Sequence, residues 1–173
     1  MIVVLMGYMG SGKSTVGKDL AKVLNYTFLD LDQYICEQEN ATIATIFDTS
    51  GEIYFRKKES YYLNEVLNSK ENIVLALGGG TPCYGKNLNL LLDHPLVKLC
   101  YLKLSIPLLA KRLFTKRNKR PLINHLNSES ELVEFIGKHL FERTYYYNQA
   151  HYIIDTDNTS QQETIETILM QLI

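Results

Sequence analysis

The segment Gly7-Tyr8-Met9-Gly10-Ser11-Gly12-Lys13-Ser14 carries the spacing G-x-x-x-x-G-K-[ST]. Those residue types suit one task, which is holding a polyphosphate. Glycines let backbone N–H groups close around phosphate oxygens without interference from Cβ atoms. A helix opening at Lys13 would bring its positive dipole end to the same place. Lys13 then supplies a mobile cation for the β- and γ-phosphates, and the Ser14 hydroxyl is a hard oxygen ligand for Mg²⁺. An ordinary glycine turn in front of a helix has a similar composition, so the flanking elements must decide between the two readings. Even then the motif names a phosphate donor and leaves the acceptor open.

Other residues bear on the acceptor. Asp30-Leu31-Asp32 places two carboxylates one residue apart. They can divide tasks, one toward a magnesium shell and one toward an acceptor hydroxyl, or they can simply cap a loop. Gly78-Gly79-Gly80 removes three side chains in a row, as a turn or as a place where a small molecule lies flat against the backbone. Arg56 has Glu59 three residues on, the spacing of a surface ion pair on a helix. Arg143 precedes Thr144 and three tyrosines at what reads as the end of a helix. Most arginines so placed are solvated and contribute little, so neither is decisive alone.

These residues need a frame. Residues 2–6 read as a buried strand running straight into the glycine motif. Residues 13–24 come next, with Val16, Leu20, Val23 and Leu24 on one helical stripe. Further strands are predicted over 26–29, 73–77, 97–102 and 152–154. Helical segments are predicted near 33–39, 42–48, 52–67 and 161–172. Alternation of this kind gives an α/β fold, a parallel sheet covered by helices on both faces. In such sheets ligands bind beyond the carboxyl ends of the strands, where the glycine motif, Asp30–Asp32 and Gly78–Gly80 all fall. Lys111–Arg120 breaks the rhythm with six basic residues in ten, and reads as a loop between two helices.

A length of 173 residues fits one domain, and 46% apolar with 21% charged residues is ordinary for a globular chain. The formal charge of −1 excludes the whole-domain basic field of a nucleic-acid binder, and no apolar run is long enough for a bilayer span. The first six residues lack a basic leader, and Cys36, Cys83 and Cys100 are an odd set without C-x-x-C spacing. A cytoplasmic protein without a disulfide framework is expected, with no nucleic-acid or membrane partner.

In sequence order, G-x-x-G-S-G-K-S, F-L-D-L-D, G-E-x-x-F-R-x-x-E, L-G-G-G-T, R-P-L and E-R-x-x-Y together resemble the shikimate kinase family. The resemblance covers the chain from Met1 to about Asp155. It implies ATP-dependent phosphorylation of the 3-hydroxyl of shikimate in aromatic amino-acid biosynthesis. It also implies a three-layer αβα P-loop kinase fold, with a five-stranded sheet of order 2-3-1-4-5 and a mobile lid. By position it assigns Gly10, Ser11, Gly12, Lys13, Ser14 and Thr15 to the nucleotide, with Ser14 and Asp30 (the latter through water) near Mg²⁺. Asp32, Arg56, Gly78, Gly79, Gly80 and Arg143 match shikimate-binding positions. Arg120, in the R-P-L block, matches the lid arginine that reaches the transferring phosphate, and Arg112 most resembles the adenine-facing arginine. Lys13, Asp32 and Arg120 are the catalytic set. One domain over 1–173 is implied, with a substrate-binding segment at about 33–62, a lid at about 112–127, and a monomer as the working unit. No role is implied for Thr81-Pro82-Cys83-Tyr84.

The chemistry agrees with this. A carboxylate wants guanidinium forks, which Arg56 and Arg143 offer, and vicinal hydroxyls want an acceptor such as ionised Asp32. A gluconate kinase would share the phosphate loop but not the Arg56, triple-glycine and Arg143 set. A non-catalytic nucleotide sensor would have lost acceptor residues that are present here. Nucleic-acid binding through Lys111–Arg120 lacks a base-reading motif. Two physical expectations go with the assignment. Asp32, near Arg56, Arg143 and Lys13, should have a depressed pKa. Residues from about 114 to 127 should be poorly ordered without nucleotide, since like charges repel there and few apolar contacts hold them.

Overall fold

The computed structural model describes residues 1–69, 72–117 and 122–172. In chain order the elements are β1 (Ile2–Met6), α1 (Lys13–Leu24), β2 (Thr27–Asp30), α2 (Leu31–Glu39), α3 (Ile43–Asn68), β3 (Ile73–Ala76), α4 (Asn87–Asp93), β4 (Val97–Lys103), α5 (Ile106–Phe114), α6 (Glu129–Tyr147), β5 (Tyr152–Asp155) and α7 (Gln161–Leu172). The five strands form one sheet in the order β2-β3-β1-β4-β5, every pair parallel. The expected sheet order is therefore found.

β1 lies at the centre and is apolar at every position because both of its faces are covered. Ile2, Val4 and Met6 belong to the larger core with α2–α6, while Val3 and Leu5 face the smaller core with α1 and α7. No helix among the described residues is long and apolar enough to cross a membrane.

Several local expectations are corrected. Val23 is exposed, so the buried stripe of α1 is Val16, Leu20 and Ala21, with Leu24 partly buried against it. α2 starts at Leu31, two residues before the expected helix, because the Asp30 side chain accepts from the N–H groups of Asp32 and Gln33 and caps it. Residues 43–68 run as one element, but Gly51 at φ 79° and ψ 170° leaves the helical region and divides it where the two helical patterns meet. The Lys111–Arg120 stretch is not all loop, since Lys111 and Arg112 lie in the last turn of α5, where cations face the negative dipole end. α4 and the 3₁₀ turn over Thr81–Cys83 had no sequence expectation.

One premise about the segment after α5, that few apolar contacts hold it, is corrected at its described ends. Ile123 is fully buried in the larger core, with Phe114 and Leu126 packed against the same cluster. The stretch thus has apolar anchors that its charge density concealed. Arg120 lies outside the described residues, so its placement is not described.

Candidate functional site

The carboxyl ends of β1, β2 and β3 converge, and the segment after each strand contributes one part of the site. After β1 the chain turns through Gly7, Gly10 and Gly12 into α1. At Gly7 a Cβ would sit 2.7 Å from the carbonyl oxygen of Leu102, so only glycine fits beside β4. Gly12 takes φ 99° at the N-cap of α1 and brings no capping side chain, leaving the helix N-terminus open to a ligand. Ser11 Oγ is buried with no hydrogen-bond partner among the described residues, an orphan hydroxyl that an anion's oxygen could satisfy by accepting its proton's hydrogen bond. Lys13 is buried, and its Nζ donates to the carbonyls of Gly7 (2.8 Å) and Tyr8 (3.0 Å).

After β2, Asp30 has two tasks. Its Oδ1 caps α2, and its Oδ2 accepts the Ser14 hydroxyl at 2.7 Å. Asp32 points into a cleft of about 270 Å³ that it shares with Lys13, Ser14, Asp30, Gly79 and Lys116. A Cβ at Gly78 would lie 2.8 Å from Asp32 Oδ1, so a side chain there would displace the carboxylate. Asp32 is not depressed in pKa as expected. Burial pushes it up to about 6, and the negative charges of Asp30 and Glu59 add to that, while Lys13 and Arg56 oppose it without prevailing. Sequence reasoning counted the cations and missed the desolvation and the nearby Glu59.

After β3 the triple glycine turns into the 3₁₀ segment. A Cβ at Gly79 would lie 3.6 Å from Arg143 Nη1, and one at Gly80 would lie 3.3 Å from Arg56 Nη1. The two guanidinium groups, 87 positions apart in sequence, therefore flank neighbouring glycines. Arg56 is held by Glu59 (Nη1 to Oε2, 2.9 Å) and by Glu52, whose Oε1 accepts from Nε and Nη2 at 3.3 Å each. Its Cζ stands 3.7 Å from the centroid of the Tyr84 ring. Glu59 is 1% exposed and also accepts the Thr81 hydroxyl at 2.6 Å, so the Arg56–Glu59 pair is structural glue and not the solvated pair its spacing suggested. Asn87 bonds the Thr81 carbonyl and accepts from Ser60, tying the glycine turn to α3.

Arg143 has a different setting. Its Cζ lies 5.7 Å from the Tyr8 ring centroid, and its charge acts on the Tyr147 hydroxyl. Tyr147 in turn donates to the Gly79 carbonyl at 2.5 Å. Tyr8 is fixed from its far end by His139, hydroxyl to Nδ1 at 3.0 Å.

A second cleft of about 380 Å³ adjoins the phosphate loop and is lined by Thr15, Arg112, Lys116, Thr156, Gln161 and Thr164 among others. Gly10, Gly12, Thr15 and Lys116 border both clefts, which makes the loop the wall between them. Arg112 reaches the Gly10 carbonyl at 3.5 Å. Of the sequence-derived site residues, those within the described structure thus gather around one loop. Those that sequence reasoning did not assign are Glu52, Glu59, Thr81, Tyr84, Lys116 and Tyr147. The i−4 and i+3 acids of Arg56 and the i+4 tyrosine of Arg143 were the available signals.

The family model for shikimate kinase matches residues 9–173. The chain belongs to the shikimate kinase family. A shikimate kinase of Flavobacterium johnsoniae is 48% identical over 167 residues, covering 96% of each chain. Among solved structures, a shikimate kinase from Bacteroides thetaiotaomicron superposes with a TM-score of 0.89 at 33% identity, covering 99% of this chain and 98% of that one. A shikimate kinase from Acinetobacter baumannii, solved in complex with shikimate, gives 0.84 at 35% identity over 99% and 92%. A gluconokinase from Sinorhizobium meliloti gives 0.59 at 20% identity over 98% and 90%, a likeness of fold alone.

Proposed function

We propose that this protein transfers the γ-phosphoryl group of ATP to the 3-hydroxyl of shikimate, making shikimate 3-phosphate for aromatic amino-acid biosynthesis. The observation that carries the reading is the convergence of Arg56 and Arg143 on Gly79–Gly80, beside a cleft that Asp32 shares with Lys13. Shikimate offers one carboxylate for the arginines and ring hydroxyls for Asp32, and a wall without side chains lets its small ring approach the backbone closely.

Each role rests on chemistry. On ATP binding, Lys13 exchanges its carbonyl partners for phosphate oxygens, and the N–H groups at the head of α1 face the same anion. The larger cleft takes the nucleoside, with Arg112 along its edge. Arg56 and Arg143 clamp the carboxylate and fix the ring, so that binding energy remote from the reacting oxygen is used to orient it. Asp32 accepts a hydrogen bond from the 3-hydroxyl. With a pKa of about 6 it is ionised at neutral pH and basic enough to take the proton as that oxygen bonds to phosphorus. Phosphoryl transfer proceeds through a loose transition state, so positive charge and alignment matter more than covalent help. We assign the remaining cation to Arg120, carried by a lid over about 112–127 that closes on ATP, with about 33–62 as the substrate-binding segment of a single domain.

The Ser14 hydroxyl and Asp30 carboxylate, 2.7 Å apart beside the phosphate loop, are hard oxygen donors that fit Mg²⁺, held by Ser14 directly and by Asp30 through water. When bound, the ion neutralises phosphate charge. Loop, carboxylates and both arginines come from one chain, which supports a monomer as the working unit, and a biosynthetic role on soluble metabolites supports the cytoplasm.

The test is ADP release with shikimate, quinate and gluconate as acceptors. Turnover with shikimate well above the other two is expected; turnover with gluconate alone would overturn the assignment.

A further inference from the structure

The hydroxyl of Tyr147 sits between two parts of the site that must agree on where a carboxylate lies. The side chain is fully buried, and its ring packs on Tyr101 with centroids 5.0 Å apart, so the hydroxyl has little freedom. It donates its only proton to the Gly79 carbonyl at 2.5 Å. Its lone pairs are left for a donor, and Arg143, one helical turn earlier on α6, is the cation whose charge acts on the hydroxyl.

The bond also has a consequence on the far side of the Gly79 carbonyl. A trans peptide is planar, so its C=O and N–H point in opposite directions. Drawing the Gly79 oxygen toward Tyr147 turns the Gly80 N–H the other way, away from Tyr147. Among the described residues, neither the Gly79 nor the Gly80 N–H is used in a backbone–backbone bond, whereas those of Thr81 and Cys83 close the turn. One phenol therefore sets the direction of a backbone donor that no backbone bond uses, beside a glycine whose Cβ position would lie 3.6 Å from Arg143 Nη1.

We propose that Tyr147 is a positioning residue for substrate recognition, a relay from Arg143 through the Tyr147 hydroxyl to the Gly79–Gly80 peptide that pre-sets the carboxylate site. The inference rests on the assignment of shikimate as acceptor. It differs from a packing role in what the hydroxyl, as opposed to the ring, should affect. A relay aimed at a carboxylate matters for an anionic substrate and hardly at all for the same ring without the charge.

The experiment uses Tyr147→Phe in the full chain, with shikimate and its methyl ester as acceptors. The expected result is a KM for shikimate raised roughly tenfold, as for a lost hydrogen bond to a charged group. The KM for ATP should stay within about twofold, and the preference for acid over ester should fall about fivefold or more. In an Arg143→Lys background, where the fork is absent, adding Tyr147→Phe should cost little, giving a strongly non-additive cycle. An unchanged KM for shikimate overturns the relay. So does an equal loss for acid and ester, or an additive cycle, because either marks a purely structural hydroxyl. A Tyr147→Phe chain that fails to fold overturns it as well, since the hydroxyl would then serve stability. In that event Arg143→Lys alone gives a second check: its acid-to-ester preference must fall, and an unchanged one removes the anionic end of the relay. Wild-type turnover of shikimate separately tests the assignment on which this rests.

Discussion

Arg56 and Arg143 approach the same glycine turn from opposite ends of the sequence, and the protein treats their charges in contrasting ways. A guanidinium has five N–H donors. On Arg56, bonds to Glu52 engage Nε and Nη2, and a bond to Glu59 engages Nη1, leaving two donors at most. One positive charge thus faces two carboxylates and stacks on Tyr84. Arg143, by contrast, neighbours the Tyr8 ring and the Tyr147 hydroxyl, with no carboxylate within ion-pair distance among the described residues. Arg56 is a fixed, compensated fork that gives direction. Arg143 is an uncompensated cation that gives attraction. In the proposed carboxylate clamp, these two arginines would divide orientation from electrostatics.

The most direct way to break this comparison is to truncate each. Removing one partner of a desolvated charge pair costs about 2–5 kcal/mol in binding. Arg143→Ala, which removes the uncompensated charge, should raise KM for shikimate by about a hundredfold with little change in melting temperature. Arg56→Ala should raise it by about tenfold. If the order of the two KM effects reversed in steady-state kinetics, the division of labour would be wrong.

Stability separates them in the opposite sense. Arg56→Ala leaves Glu59 buried with Thr81 as its remaining donor. Breaking a buried pair costs about 3–5 kcal/mol, reduced here to about 2–3 because Arg56 is partly exposed and Thr81 remains. For a chain of this size that is a fall in Tm of roughly 4–12 °C. Arg143→Ala strands no acid and should lose less than about 2 °C. Calorimetry on the two variants decides it; equal losses would mean that Arg143 has an acidic partner after all.

Glu52 sharpens the Arg56 half. It is 53% exposed at the side chain, so its pairing is worth well under about 1 kcal/mol. Glu52→Gln keeps an acceptor for Nε and Nη2 while removing a negative charge near the substrate carboxylate. These effects oppose each other, and KM for shikimate should move by less than about threefold. A change of tenfold in either direction would show that Glu52, and not Glu59, governs how the fork presents itself.

How much of this could be read before the structure depends on sequence distance. The phosphate loop was legible because strand, glycines and helix are contiguous, and α1 begins at the lysine that the motif requires. Sheet order and the two arginines came through the resemblance, since spacing alone gave Arg56 and Arg143 no special standing. What was missed involves contacts whose partners are far apart or whose residue type is silent about its target. Tyr147 reaches Gly79 across 68 positions, and Tyr8 reaches His139 across 131. A tyrosine in a run of three says nothing about which hydroxyl turns inward; only Tyr147 of the three is fully buried. Glu59 looked solvated because an i, i+3 pair is normally on a surface, and only the packing of the Thr81 turn over α3 buries it. Basic residues over 111–120 hid Ile123, whose burial depends on α6 folding back beside it.

The smallest effect expected is also the one that tests where charge is felt. Asp32 has a pKa near 6 against 3.8 for an ordinary aspartate, raised by burial, by Asp30 and by Glu59, and opposed by Lys13 and Arg56. Arg143 is not among its determinants. Because the folded-state pKa lies above the unfolded one, the fold favours protonated Asp32; that contribution to stability is complete below about pH 3.8 and is lost as pH rises through 6. The proposed role of Asp32 requires the ionised form, so kcat/KM for shikimate, which reports the free enzyme, should fall on the acid side of about pH 6. Arg56→Ala removes a cation that holds this pKa down and also unmasks the charge of Glu59, and both changes raise it. The acid limb should therefore move to higher pH in Arg56→Ala and stay in place in Arg143→Ala, even though Arg143→Ala suffers the greater loss in KM. A limb that shifts equally in both variants would mean that Asp32 feels both arginines alike and that the compensated and uncompensated cations are not electrostatically distinct. If instead neither limb moves and wild type titrates near 4, burial does not set the Asp32 pKa, and the carboxylate works as an acceptor too weakly basic to assist proton removal.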